Sequence, residues 1–170
     1  LQAAVLNVKL PRLNQWVERR RAIAVRYREA LEDVPGLLLP DASAGHGHGW
    51  NQFVVRVTAC PNDASSSATH SPGEFGLPSS HCRDWLKQNL QEQGVNTIIY
   101  YPIPIHRQPA YAEQHCNSCL PVTEQLCSEV LSLPIFPELT NEQQEQVISV
   151  LRSLLIQNAP LNSQTCSVAA

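Results

Sequence analysis

A chain of 170 residues is long enough for one domain with a real core. Its 43% hydrophobic content and formal charge of -3 describe an ordinary soluble protein, without the basic excess that would draw in a phosphate backbone or an anionic membrane. No apolar stretch approaches the roughly 18 residues needed to cross a bilayer, so the chain reads as cytoplasmic, with neither nucleic acid nor membrane as partner.

The first 34 residues contain two helical patterns divided by Pro11, which has no amide hydrogen and disfavours helix just before it. "LQAAVLNVKL" is one arm. The second arm opens on Pro11 and brings Leu13, Trp16, Val17, Ile23, Ala24, Tyr27, Ala30, Leu31 and Val34 near one face, until Pro35-Gly36 stops it. "GLLLP" (36–40) predicts a short strand. "WNQFVVRVT" (50–58) predicts a better one, with Phe53, Val55 and Val57 on one side. Between them "DASAGHGHG" is a loop, and residues 59–79, rich in Ser, Pro and Gly without a period, read as an exposed insertion.

A helix follows at about 80–93, with Trp85, Leu86 and Leu90 inward and Gly94 beyond its end as a left-handed cap. "VNTIIYY" (95–101) predicts a strand. "LPVTEQLCSEVLSL" (120–133) carries a short helix that ends before "LPIFP". The last helix is signalled by Thr140 with Gln143 three residues on, a capping box, and by the apolar face of Val147, Ile148, Val150, Leu151, Leu154 and Leu155. Residues 158–170 read as a disordered tail. The order is helix, helix, strand, strand, helix, strand, helix, helix, an α+β layout with a small, mostly antiparallel sheet covered by helices.

The six cysteines (60, 82, 116, 119, 127 and 166) are irregularly spaced and read as free thiols. Cys116 and Cys119, beside His115, have the inner spacing of a zinc knuckle, but no second pair stands at a useful distance, so an incidental loop pair is the better reading. His46 and His48, set among glycines, offer at most weak metal binding. Arg19, Arg20 and Arg21 read as a solvated helix face, with a subunit or anion contact as the alternative. Methionine is absent and the chain opens inside a helical pattern, so a piece of a longer protein is expected.

No nucleophile elbow, phosphate-cradling glycine loop or recognisable pair of catalytic carboxylates is present. The segment "YYPIPIHRQPAY" (100–111) stands apart. Pro102, Pro104 and Pro109 hold the backbone near extended geometry, so Tyr101, His106, Arg107, Gln108 and Tyr111 project in preset directions at little entropic cost. A stiff aromatic loop at a strand end suits recognition of a polar, ringed ligand with anionic groups; the plainer alternative is an ordinary strand exit with a buried tyrosine and a capping histidine.

"LQAAVL" (1–6), "KLPRLNQWVERRRAIAVRYREAL" (9–31), "YYPIPIHRQPAY" (100–111) and "LPVTEQLCSEVLSLPIFPELTNEQ" (120–143) form an ordered set. Together they resemble the C-terminal part of the DegT/DnrJ/EryC1/StrS aminotransferases, pyridoxal 5'-phosphate enzymes of fold type I. Members place an amino group, usually from glutamate, on nucleotide-linked keto sugars, and usually act as homodimers.

The resemblance implies the C-terminal small domain of such a transferase over residues 35–157. Residues 1–34 would form a kinked helical bridge from a large domain outside this chain. It also implies that the lysine that binds the cofactor lies upstream, since neither Lys9 nor Lys87 has a matching context. The fragment alone would then be inactive, with the cofactor held mainly by the missing domain. By the same resemblance the substrate-binding residues are Tyr101, His106 and Gln108, with Tyr100 standing where a histidine is common. The motif style is closer to members acting at the sugar 3-position than at the 4-position. Two alternatives stay open: a non-catalytic binding or regulatory module that kept the small domain, and a pyridoxamine-phosphate sugar dehydratase of the same family.

Overall fold

The computed structural model describes residues 1–42, 47–61, 80–111 and 119–157. Helix α1 (Gln2–Lys9) runs through a 3-10 turn at Leu10–Arg12 into α2 (Leu13–Leu31). Pro11 sits where its missing amide hydrogen costs least, in the first positions of that turn. Strands β1 (Leu37–Leu38) and β2 (Phe53–Val57) follow, then α3 (His81–Glu92), a 3-10 turn at Ile105–Arg107, α4 (Pro121–Glu129), β3 (Val130–Leu133) and α5 (Asn141–Arg152). A π-helical turn, Ser153–Gln157, extends α5.

The sheet has the order β1-β2-β3 and both pairings are antiparallel. Phe53, Val55 and Val57 point inward from β2, as the alternation predicts, and Phe53 and Val55 lie opposite Leu133 and Leu131. Against them pack Ile23, Ala24, Tyr27 and Leu31 of α2, Leu86 and Leu90 of α3, and Val147, Ile148 and Leu151 of α5. The Phe53 ring lies 5.2 Å from Tyr27 and 5.5 Å from Trp50. The expected α+β layout is the observed one, a small antiparallel sheet with helices packed on it.

Two predicted elements come out differently. Residues 95–101 do not form a regular strand: only Ile98 bridges to the sheet, exchanging backbone bonds with Ser132. Beyond it the chain meets Pro102 and Pro104, which cannot donate to a ladder, and leaves the sheet edge. The third strand comes instead from Val130–Leu133, read from sequence as the tail of a helix. "VLSL" fits either period, and pairing with β2 decides the matter by burying Leu131 and Leu133.

The helix ends follow the local signals. Gly94 takes φ 77° beyond α3, as expected of a left-handed cap. Gly36, at φ 73°, ends α2's approach to the sheet, where an added Cβ would come within 2.7 Å of the Ala59 carbonyl oxygen. The Thr140 hydroxyl accepts from the Gln143 amide, and the Gln143 side chain accepts from the Thr140 amide, completing the capping box of α5. Thr140→Ala should therefore lower stability by about 1 kcal/mol in urea unfolding, the usual worth of such a cap.

The arginine run is not simply a solvated face. Arg19 donates to the Leu139 carbonyl and Asn141 Oδ1, Arg20 to the Gly49 carbonyl, and Arg21 to the His48 carbonyl while pairing with Glu18. Each guanidinium clamps a neighbouring loop onto α2. Elsewhere Arg152 grips Asp33 and the Ala30 carbonyl, and buried Gln144 donates to the Ile23 carbonyl at 2.8 Å. The C-terminal helix is thus tied to α2 by polar contacts as well as apolar packing. Leu13, expected on α2's inner face, is exposed. So are Val5, Leu6, Val8 and Leu10, and α1 buries no residue.

Candidate substrate-facing site

Past α3 the chain runs along β3 and then turns outward. Val95 closes the end of α3 through its amide to the Leu90 carbonyl, and Ile98 bridges Ser132. Tyr100 and Tyr101 follow with their rings edge to face at 5.6 Å. Tyr101 is 69% exposed and Tyr100 37%. Pro104, at φ -64° and ψ 150°, holds extended backbone, and the next three residues make the 3-10 turn, closed by the Arg107 amide on the Pro104 carbonyl. Proline's fixed φ makes this turn cheap to form.

The turn is fastened by one carboxylate. Glu124 of α4, buried, receives His106 Nε2 at 2.8 Å and Arg107 Nη2 and Nε at 3.0 and 3.1 Å, all on the same oxygen. A carboxylate only accepts, so His106 carries its proton on Nε2. His106 is itself buried, and among the described residues no hydrogen bond engages its Nδ1. The hydrogen bond from His106 holds the Glu124 carboxyl below its ordinary value of 4.5; burial opposes this, and the Arg107 guanidinium adds to it.

A group with a depressed folded value contributes stability that is present above its unfolded value and lost as pH falls through the folded one. The docking of residues 104–108 should therefore persist to pH values below 4.5 and then loosen. Amide hydrogen exchange of Arg107 and Gln108, followed against pH, checks this, and Glu124→Gln should abolish the acid transition.

Of the four residues expected to face substrate, Tyr101 and Tyr100 project outward. His106 is turned inward onto α4, and Gln108 is half-buried at the end of the turn. The sequence reading missed Glu124. Its available signal was a carboxylate in the first turn of a helix opened by Pro121, three to four residues into the element.

Tyr100 also stands at the rim of an open cavity of about 490 Å³ between β3, the turn after α3 and α5. Asn51, Gln52, Asn96, Gln143 and Gln146 supply its amides, and Phe136 part of its apolar wall. The Ser132 hydroxyl, buried in that wall, has no hydrogen-bond partner among the described residues. Among the described residues the lining holds no charged side chain, so the cavity suits a neutral polar ring and lacks the cations a phosphate would need. Lys9 lies exposed on α1 and Lys87 half-buried on α3, and neither lines the cavity. These residues do not by themselves make a seat for pyridoxal phosphate, which needs an amine for its aldehyde and donors for its phosphate.

The other candidates resolve simply. His48 Nδ1 accepts from the Trp50 amide at 3.0 Å, so this histidine caps the turn that sets Trp50 against the core. His46, His115 and Cys116 lie outside the described residues, as do 62–79 of the expected insertion and the expected tail at 158–170. Cys60, Cys82, Cys119 and Cys127 are reduced, with no disulfide among the described residues. No helix among the described residues is long and apolar enough to cross a membrane.

Comparison with known proteins places these features in context. Residues 1–152 match the DegT/DnrJ/EryC1/StrS aminotransferase family. The chain is 40% identical over 154 residues to the erythromycin biosynthesis sensory transduction protein EryC1 of Saccharopolyspora erythraea, covering 90% of this chain and 36% of that protein. It is 36% identical to dTDP-3-amino-3,6-dideoxy-alpha-D-galactopyranose transaminase of Aneurinibacillus thermoaerophilus, covering 89% of this chain and 35% of that protein. Its fold is similar to the crystal structure of DesV from S. venezuelae in complex with a ketimine intermediate, with a TM-score of 0.72 and 34% identity over 89% of this chain and 35% of that one. The chain thus spans about a third of the length of the curated relatives it matches.

Proposed function

Because the chain belongs to the DegT/DnrJ/EryC1/StrS aminotransferase family, we propose that it is the C-terminal portion of a pyridoxal-phosphate enzyme acting on a nucleotide-linked keto sugar. Glutamate is the amino donor and the 3-keto carbon the favoured acceptor. The observation that carries this is the similarity to a transaminase named for a 3-amino dTDP sugar, which extends over 89% of the chain. In this reading the cofactor, when bound, supplies the carbonyl that takes up nitrogen and the electron sink for the proton shift.

What this chain contributes is recognition. Tyr101 and Tyr100 offer exposed rings and hydroxyls to the sugar nucleotide, and the Glu124 anchor keeps the loop in one conformation before substrate arrives. Preorganisation of that kind lowers the entropic cost of binding. His106 contributes mainly by holding the turn, with Nδ1 left to accept a hydrogen bond. Gln108 sits beside it at the turn's end.

Residues 1–34 bridge to the remainder of the protein, and 35–157 form the small domain. Support comes from the exposed apolar side chains on and flanking α1, from Leu1 to Leu10, which a larger neighbouring domain would cover. The intact protein is a homodimer in this proposal, and the lysine that binds the cofactor lies outside this chain.

The full-length protein, incubated with pyridoxal phosphate, glutamate and a dTDP-linked 3-keto-6-deoxy sugar, is expected to bind the cofactor and release 2-oxoglutarate with formation of the amino sugar. Cofactor uptake without amino transfer to any keto sugar would sink the substrate assignment. Absence of both would favour a second reading, a regulatory module without catalysis, which the name of the EryC1 relative as a sensory transduction protein brings into view.

A further inference from the structure

Residues 58–80 separate β2 from α3, and Cys60, near the start of that stretch, meets the first residues of α3 at a cluster of metal-ligating side chains. Cys60 lies three residues after β2 and is buried, with 8% exposure. His81 and Cys82 open α3, the first exposed and the second half-buried. The three ligand atoms lie within 4.8 Å of one another. Cys60 Sγ stands 3.8 Å from His81 Nδ1, across 21 residues of sequence.

Those separations are informative. A tetrahedral zinc ion with sulfur at about 2.3 Å and nitrogen at about 2.0–2.1 Å places its sulfur and nitrogen ligands roughly 3.6 Å apart, and two sulfurs roughly 3.8 Å apart. The observed sulfur-to-nitrogen distance is already close to that value. Neither cysteine is in a disulfide, so both sulfurs are reduced. Two thiolates and one imidazole form a soft donor set that suits zinc and rejects magnesium or calcium. Their two negative charges cancel a dication, so the half-buried position of the cluster is not penalised by a net charge.

The neighbouring charges do not compete for the site. The carboxylate of Asp84 is taken up by Ser80 Oγ and Arg83 Nε. Arg83 also donates to the Cys127 carbonyl, which draws it toward α4.

We propose that Cys60, His81 and Cys82 form a zinc site, with a fourth position for water or a further donor. Zinc there ties the residues just after β2 to the start of α3. A metal bound by the folded chain and not by the unfolded one stabilises the fold by its binding free energy. The site shares no residue with the 104–108 turn and does not depend on the transferase reading.

The experiment is a Co2+ titration of the reduced full-length protein. About one Co2+ per chain is expected, with the visible bands of tetrahedral cobalt and a near-ultraviolet thiolate-to-cobalt band, both erased by added Zn2+. His81→Ala and Cys82→Ser should each weaken cobalt binding by about 100-fold or more, since even the outer partners of metal ligands are worth 10- to 100-fold. Cys119→Ser should leave it unchanged. His81 is exposed, so its replacement should keep the fold, which far-ultraviolet circular dichroism checks. Absence of these bands in the reduced protein would overturn the proposal. So would bands that survive both Cys60→Ser and Cys82→Ser, or a Cys60–Cys82 disulfide in protein isolated under conditions that keep other thiols reduced.

Discussion

Phe53→Ala is expected to lower the free energy of unfolding by about 3–5 kcal/mol, the range for deleting a buried aromatic ring. Phe53 is fully buried on the central strand, where α2 lies on one side and Trp50 covers the other. Tyr27 is unable to follow the retreating ring inward, because its hydroxyl donates to the Pro134 carbonyl at 2.9 Å. The cavity should therefore stay open, which sets the cost toward the upper end. Domains of this size hold only about 5–15 kcal/mol in all, so the variant should be close to unfolded at moderate urea. Urea unfolding followed by tryptophan emission measures this, with Trp50 as a local reporter. Phe53→Leu should cost less than half as much. Val25→Ala, on the exposed face of α2, should shift the midpoint by no more than about 0.5 kcal/mol. A loss for Phe53→Ala equal to that of Val25→Ala would mean the sheet is not the centre of the core.

Glu124→Ala is expected to have the largest effect on activity of any change in this chain. It removes the shared acceptor of His106 and Arg107 and leaves both donors in a crowded pocket without their partner. The 104–108 turn should then swing away from α4 and carry Tyr101 with it. A displacement of about 1 Å in a positioning element can cost on the order of 100-fold, and under the proposed sugar-aminotransferase reading that is the fall in kcat/KM expected of the full-length protein. Glu124 is a positioning residue, so the loss should fall on the KM for the sugar while the half-reaction with glutamate keeps its rate. A merely global destabilisation would lower both half-reactions together. Glu124→Asp, which keeps the charge on a shorter arm, should recover part of the loss.

How much of this was readable beforehand differs from element to element. The helix boundaries rest on local chemistry: Pro11, Gly36, Gly94 and the Thr140–Gln143 box act within one turn of chain, and each does what its residue type dictates. The alternation of β2 likewise survives, because side-chain period is a property of the strand itself. "VLSL" and "VNTIIYY" were misassigned for the opposite reason. Both are short apolar runs with high strand propensity, and only one of them could take the place beside β2.

Sequence alone thus determined the α+β composition, the helix ends marked by Pro11, Gly36, Gly94 and Thr140, and the proline-stiffened loop with its aromatic residues, all of which depend on interactions between near neighbours. It also determined the family, through four motifs in fixed order. The tertiary structure decided which run became the third strand, that His106 turns inward to Glu124, that the arginine run clamps loops, and that Cys60 meets His81 and Cys82. Each of those pairings joins residues far apart in the chain, and their free energy appears only once the core has closed and brought them within reach.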